Sequence, residues 1–168
     1  MMNEDIAAAL AAFDETIAND AGKDAPWIAL QTLTRAVIGA KLFTIMTVDM
    51  QNEVARREYT SDPASYPVSG TKPVHYDDWF DLVHLQRKPF IANTIADIAK
   101  VFPDHETIWS LGCGSVINIP VFVGGKLLGT VNCLDVEHHY TPERVEKSKL
   151  LAMPARLAFL SSTFVGNG

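Results

Sequence analysis

An α+β fold built around one central antiparallel β-sheet is predicted by three features of the 168-residue sequence. Both ends carry apolar residues at helical spacing: Ile6, Leu10, Phe13 and Ile17 near the start, and Leu150, Leu151, Met153, Leu157, Ala158 and Leu160 near the end. The segments around Ser115–Val121 and Thr130–Leu134 alternate with period two about Gly124-Gly125, and both glycines can take the positive φ of a tight hairpin turn. A β-branched, apolar run from Leu42 to Val48 precedes a turn and a polar, alternating return. Strands flanked in this way predict terminal helices over one sheet face. Short helices and loops then cover the other face, which is where a pocket is expected.

Taken in order, the first helix is expected over residues 4–19, ended by Asp20-Ala21-Gly22. Asp24 is placed to cap a second helix with Pro26 in its first turn, and Trp27, Leu30, Leu33, Thr34 and Val37 keep its period up to Gly39. Leu42 to Val48 reads as a strand, Asp49 to Asn52 as a turn, and Glu53 to Tyr59 as an edge strand. Pro63, Pro67, Gly70 and Pro73 make residues 60–75 a loop. Tyr76 to Arg87 is expected to be helical, with Trp79, Phe80, Val83 and His84 in period. Pro89 to Ala92 reads as a short strand, and Thr94 to Phe102 and Glu106 to Leu111 as short helical pieces around Pro103. After the hairpin, Thr141 caps the last helix and Pro142 opens it, while Pro154 should kink that helix or lower its stability. Neither an internal repeat nor a long linker is evident.

Composition narrows the function. With 48% hydrophobic and 20% charged residues the chain is an ordinary globular protein, long enough for a real core. Its 20 acidic residues outnumber 14 basic ones, for a net charge of -6, and the densest basic points are Arg56-Arg57 and Arg87-Lys88. A nucleic-acid binder would show a basic stripe to neutralise phosphates, so no nucleic-acid partner is expected. No apolar run reaches a membrane span, and the start of the chain (Asn3, Glu4, Asp5) is acidic rather than basic. A cytoplasmic protein without a membrane partner is the expectation. The two cysteines, Cys113 and Cys133, form no C-x-x-C pair and read as free buried thiols.

The hairpin holds the functional question. Period two places Val116, Asn118 and Pro120 on one face, opposite Ser115, Ile117, Ile119 and Val121. In the second strand Thr130, Asn132 and Leu134 oppose Val131 and Cys133. Buried amides must be hydrogen-bonded, whether to protein, water or a bound small molecule. An amide offers both donors and an acceptor, which suits a neutral or weakly polar ligand. Trp79 and Trp109 could stack on a planar ligand, although packing on the sheet is the commoner role for such a side chain.

The ordered motifs Lys88-Pro89-Phe90-Ile91, Leu111-Gly112-Cys113-Gly114-Ser115-Val116-Ile117-Asn118-Ile119-Pro120-Val121, Gly125-Lys126-Leu127-Leu128-Gly129-Thr130-Val131 and Tyr140-Thr141-Pro142-Glu143 resemble a GAF domain, from about Trp27 to Leu160. The resemblance implies a GAF/PAS-like fold, with residues 1–22 as an N-terminal helical extension and 23–165 as the domain. It also implies a small-molecule-sensing, signal-transducing module, here expected to stand alone. Its pocket would lie on the sheet face away from the terminal helices. That geometry points to Thr44, Met46, Val116, Asn118, Thr130, Asn132 and Leu134, with Trp79, Asn93 and Trp109 from the covering segment. No Arg or Lys falls at these positions, which disfavours a cyclic-nucleotide phosphate as the ligand.

Two other classes are weighed. One branch of the family consists of free methionine-R-sulfoxide reductases, which use cysteine thiolates and pocket carboxylates. The matching positions here are Val116, Asn118, Asn132 and Leu134, so the carboxylates are missing and Cys113 is misplaced. No enzyme and no cofactor are therefore expected. The other class is a dimerisation module, since the stripe of the first helix must be buried somewhere and GAF dimers commonly pair through helices; a homodimer through the terminal helices is expected. His138-His139 with Asp135 and Glu137 could ligate a metal, but adjacent loop ligands rarely converge, and a solvated turn with no metal is the expectation. His75, His84 and His105 are scattered, and no Ser-His-Asp order or H-E-x-x-H motif is present.

Overall fold

Six strands pair in one antiparallel sheet: β1 (Leu42–Asp49), β2 (Val54–Thr60), β3 (Lys72–Pro73), β4 (Phe90–Ala92), β5 (Ser115–Val123) and β6 (Lys126–Asp135). Their order across the sheet is β3-β2-β1-β6-β5-β4, and each adjacent pair is antiparallel. The computed structural model describes residues 3–19 and 22–165. It divides into two compact units, one from the ends of the chain (Met1–Gly39 with Glu143–Gly168) and one holding the sheet (Ala40–Pro142).

In the unit formed by the chain ends, α1 (Glu4–Ala18) starts at Asn3, whose Oδ1 accepts the Ile6 amide at 2.8 Å. Of the expected stop, Asp20 and Ala21 lie outside the described residues. Asp24 takes the N-cap position of α2 (Ala25–Val37) but makes no side-chain cap, because its own backbone is already helical (φ -93°, ψ -3°); Pro26 sits in the first turn as expected. Trp27 and Phe159 meet edge to face with ring centroids 4.9 Å apart. The last helical segment is divided into α6 (Pro142–Lys147), a 3-10 turn (Ser148–Leu151) and α7 (Ala152–Val165). The break precedes Pro154, which has no N–H for the carbonyl four residues back and whose ring clashes with that carbonyl.

In the sheet unit, Gly124 (φ 59°) and Gly125 (φ 78°) turn β5 into β6 with the double positive φ their pairing requires. The structure corrects the expected 60–75 loop. Lys72–Pro73 pairs with β2, so β2 is flanked on both sides and is not the edge. The expected 76–87 helix is shorter, with α3 (Asp78–Phe80) running into a π-helical turn (Asp81–Leu85). Asp77 caps it by accepting the Phe80 amide at 2.9 Å. The short helices α4 (Ile95–Ala99) and α5 (His105–Ser110) follow β4. Ile98 and Ile108 from these helices join Leu42, Ala92, Val116 and Leu134 of the sheet in one buried cluster. On the opposite face Phe43, Ile45, Ile117, Val131 and Cys133 are all buried, which is the period-two alternation of a sheet.

Candidate functional site

Register places Asn118 opposite Asn132, Asn132 opposite Thr44, and Thr44 opposite Thr60, so one polar row crosses β5, β6, β1 and β2. All four are buried. Trp79 Nε1 donates to Asn118 Oδ1 at 2.9 Å, Asn118 Nδ2 donates to Asn132 Oδ1 at 2.8 Å, and Asn132 Nδ2 donates to Thr44 Oγ1 at 3.3 Å. An indole N–H can only donate, so the Asn118 atom facing it must be the oxygen. That single constraint orients both amides behind it, and burial is compensated along the whole row.

The row on one side is apolar: Ala92, Val116, Leu134 and Leu42. The row on the other side runs Pro120, Thr130, Met46 and Arg57. Thr130 is 1% exposed and its Oγ1 has no hydrogen-bond partner among the described residues. Its cross-strand neighbours explain this, since neither the Pro120 ring nor the Met46 thioether offers a good acceptor. Arg57 reaches this row through a β-bulge. Pairing is Ile45 with Tyr59 and then Met46 with Arg57, so Glu58 is left unpaired. Strict alternation from Thr60 would have put Glu58 and Arg56 on this face; the bulge substitutes Arg57 and Ala55. A second bulge, between Val121 and Phe122, likewise turns Leu127 rather than Leu128 inward.

These rows floor a cavity of about 290 Å³. Among its lining residues are Thr44, Met46, Trp79, Val116, Asn118, Thr130, Asn132 and Leu134, all of them expected positions. Asn93 and Trp109 are not among them. Asn93 instead donates from Nδ2 to the Tyr140 carbonyl at 2.9 Å and accepts the Tyr140 amide on Oδ1 at 3.0 Å, which clamps the loop after β6. Trp109 is 56% exposed on the outer side of α5. The lining also corrects the expected absence of cations, because Arg56, Arg57 and Lys72 belong to it. Neither the bulge in β2 nor the strand β3 leaves a periodic signal in so short a stretch, so these cations carry no mark in the sequence.

The rim is polar. Arg57 stacks its guanidinium 3.7 Å over the Tyr66 ring and donates from Nη1 to the Pro67 carbonyl at 2.8 Å. Tyr66 donates its hydroxyl to Asp104. Burial, and then that carboxylate, push the Tyr66 phenol well above its ordinary range, so it stays a donor. Arg56 pairs with Glu58, whereas neither Arg57 nor Lys72 takes part in an ion pair among the described residues.

Both thiols lie outside the cavity lining. Cys113 sits in the apolar cluster, where burial pushes its thiol up to about 11, and burial raises Cys133 further still. Neither forms thiolate readily near neutral pH. Among the described residues no three His, Cys, Asp or Glu side chains converge as metal ligands; His139 is 3.6 Å from Asp135 and His138 is 3.8 Å from Glu137, as two separate pairs. Among the described residues no helix is long and apolar enough to cross a membrane.

The family model for the GAF domain matches residues 29–159. None of the curated proteins compared matches the sequence significantly. Solved structures share the fold at low identity. The GAF domain of a two-component sensor histidine kinase from Bacillus halodurans superposes with a TM-score of 0.68 at 12% identity, covering 86% of this chain and 98% of that one. The phycoerythrobilin-bound GAF domain from a cyanobacterial phytochrome gives 0.69 at 13% identity, covering 99% and 100%. The GAF domain from an Acinetobacter phosphoenolpyruvate-protein phosphotransferase gives 0.66 at 14% identity, again covering 99% and 100%.

Proposed function

The chain belongs to the GAF domain family, and from that premise we propose that it is a regulatory module that binds a small molecule in the cavity over its sheet. The observation that carries this reading is the cavity floor, where a buried polar row lies within an apolar surround beneath about 290 Å³ of space. That volume is close to the lower end of ligand pockets, roughly 300 Å³ upward, and a few convergent polar groups among apolar ones are what fix a ligand's orientation. The similar structures include a sensor histidine kinase domain and a bilin-bound domain, which agree in kind with a sensing role. Residues 61–80 supply Tyr66, Ser69, His75 and Trp79 to the cavity wall, so a ligand that touches them favours the conformation in which this segment is ordered over it.

The reading is of a binder rather than a thiol enzyme. Both cysteines are buried outside the cavity lining with thiol pKa values raised by burial, which disfavours the thiolate a sulfoxide reductase needs. Mass spectrometry of freshly purified protein, native against denatured, tests the binding reading. A mass excess present only in the native spectrum is expected. Bare protein in both spectra, together with no thermal shift across a metabolite library, would sink it.

A second reading has its own observation and is compatible with the first. Leu150, Met153, Leu157 and Leu160 recur at spacings of three, four and three and are 55%, 72%, 45% and 38% exposed. This is the spacing of a seam that packs on a copy of itself, so the chain is read as a homodimer through α7.

A further inference from the structure

Resting on the reading of the cavity as a binding site, we propose that its ligand is a small organic carboxylate with a hydrogen-bond acceptor at its far end. The carboxylate sits at Arg57 and Lys72, an apolar body lies over Met46, and the acceptor faces the Thr130 hydroxyl.

Three observations converge on one row of the sheet. Thr130 lines the cavity, and its hydroxyl is closed off from water with no hydrogen-bond partner among the described residues. A buried hydroxyl without a partner is costly, and a ligand acceptor removes that cost when it binds. Arg57 stands in the same row two strands away, with Met46 between them. At the spacing of neighbouring strands, about 4.8 Å, the two backbones are roughly 10 Å apart, which the two side chains shorten to the length of a small ring or a short chain. Between the two polar ends, Met46, Leu127 and Phe80 provide apolar wall.

The unengaged donors at the rim favour a ligand that carries anionic oxygens. The rim carboxylates are already engaged: Asp104 accepts from Tyr66, and Asp77 accepts the Phe80 amide. Arg57 and Lys72 have no ion-pair partner among the described residues. Stacking on Tyr66 and the bond to the Pro67 carbonyl fix the plane of the Arg57 guanidinium and leave donors over for a planar two-oxygen partner. The bulge at Glu58 matters here, because it keeps a carboxylate off this face and presents a guanidinium instead. A phosphate is less suited, since no glycine lines the cavity to let backbone amides approach it.

The test is calorimetric titration of the full chain with 4-acetylbenzoate, 4-acetylbenzamide, 4-ethylbenzoate and 4-acetylphenyl phosphate. The acid is expected to bind about tenfold or more tightly than the amide, as the charge-assisted bonds require. Lys72→Met, an exposed change that breaks no ion pair among the described residues, should reduce that preference, and Arg57→Leu should remove it. 4-Ethylbenzoate, which lacks the far acceptor, should bind more weakly than 4-acetylbenzoate to the wild type but equally to Thr130→Val. Amide binding as tight as the acid overturns the proposal while leaving the cavity a binding site. Preference for the phosphate ester overturns the carboxylate assignment. Absence of binding by all four overturns it as well, and the native mass spectrum then decides separately whether the cavity holds any ligand.

Discussion

Trp79 donates its indole N–H to Asn118 Oδ1 at 2.9 Å, and that bond sets the direction of the amide row behind it. Asn118 could otherwise turn over and present its nitrogen to the cavity. With Trp79 in place its nitrogen faces Asn132 and its oxygen faces the covering segment. The bond therefore ties a residue of α3 to β5 of the sheet, and the state of the cavity's cover is coupled to the polar order of its floor.

A double-mutant cycle on this pair measures the coupling. Asn118→Leu strands the buried Asn132 Oδ1 and should cost about 1–3 kcal/mol in urea unfolding, while Trp79→Phe removes the matching donor at similar cost. The double variant should cost less than the sum, with a coupling of about 0.5–3 kcal/mol. Strict additivity would show that the bond contributes nothing to the fold.

Thr130→Val should act with the opposite sign. The hydroxyl is buried without a partner, and valine has nearly the same shape. Removing the stranded donor should stabilise the empty protein by about 1 kcal/mol, raising its melting temperature. A lower melting temperature would mean that the hydroxyl is satisfied within the fold.

The faces of the hairpin residues away from its turn were legible because β5 and the end of β6 that holds Thr130 to Leu134 alternate without interruption, so period two alone put Val116, Asn118, Thr130, Asn132 and Leu134 together. Thr44 and Met46 followed from the same rule in β1. Arg57 was not legible. The run Arg56-Arg57-Glu58 is polar throughout, and only the bulge decides which of its charges turns inward. Asn93 and Trp109 failed for another reason. Trp109 lies in, and Asn93 just before, short helices whose placement depends on tertiary contacts, and nothing local distinguishes an amide that clamps Tyr140 from one that faces a cavity.

Alkali should weaken the fold through its thiols. Burial pushes Cys113 from an ordinary value of about 9 up to about 11, and Cys133 moves in the same direction. Above pH 9 the unfolded chain loses protons that the folded chain keeps, so stability is intact below about pH 9 and falls as pH rises toward 11. Each such thiol contributes a slope approaching about 1.4 kcal/mol per pH unit within its window. Urea unfolding at a series of pH values checks this. Cys133→Ala should lower stability near neutral pH yet flatten the alkaline fall, and an unchanged slope in that variant would assign the fall to other groups.

Self-association through α7 makes the last prediction. Single exposed apolar residues are ordinary on a protein surface. Met153, Leu157 and Leu160, with Leu150 in the turn before them, instead share one stripe, and Met153 is 72% exposed. Paired with a second copy, such a stripe becomes a dry seam in which a carboxylate has no partner, and an unpaired buried charge costs several kcal/mol. On an isolated chain the same carboxylate at position 157 would remain near water, where a surface substitution changes stability by about 0.5 kcal/mol or less. Leu157→Glu should therefore convert a dimer into a monomer in sedimentation equilibrium at micromolar concentration, while the circular dichroism of the variant stays native. A wild-type protein that sediments as a monomer under those conditions would remove the dimer reading and leave the stripe open for a different partner.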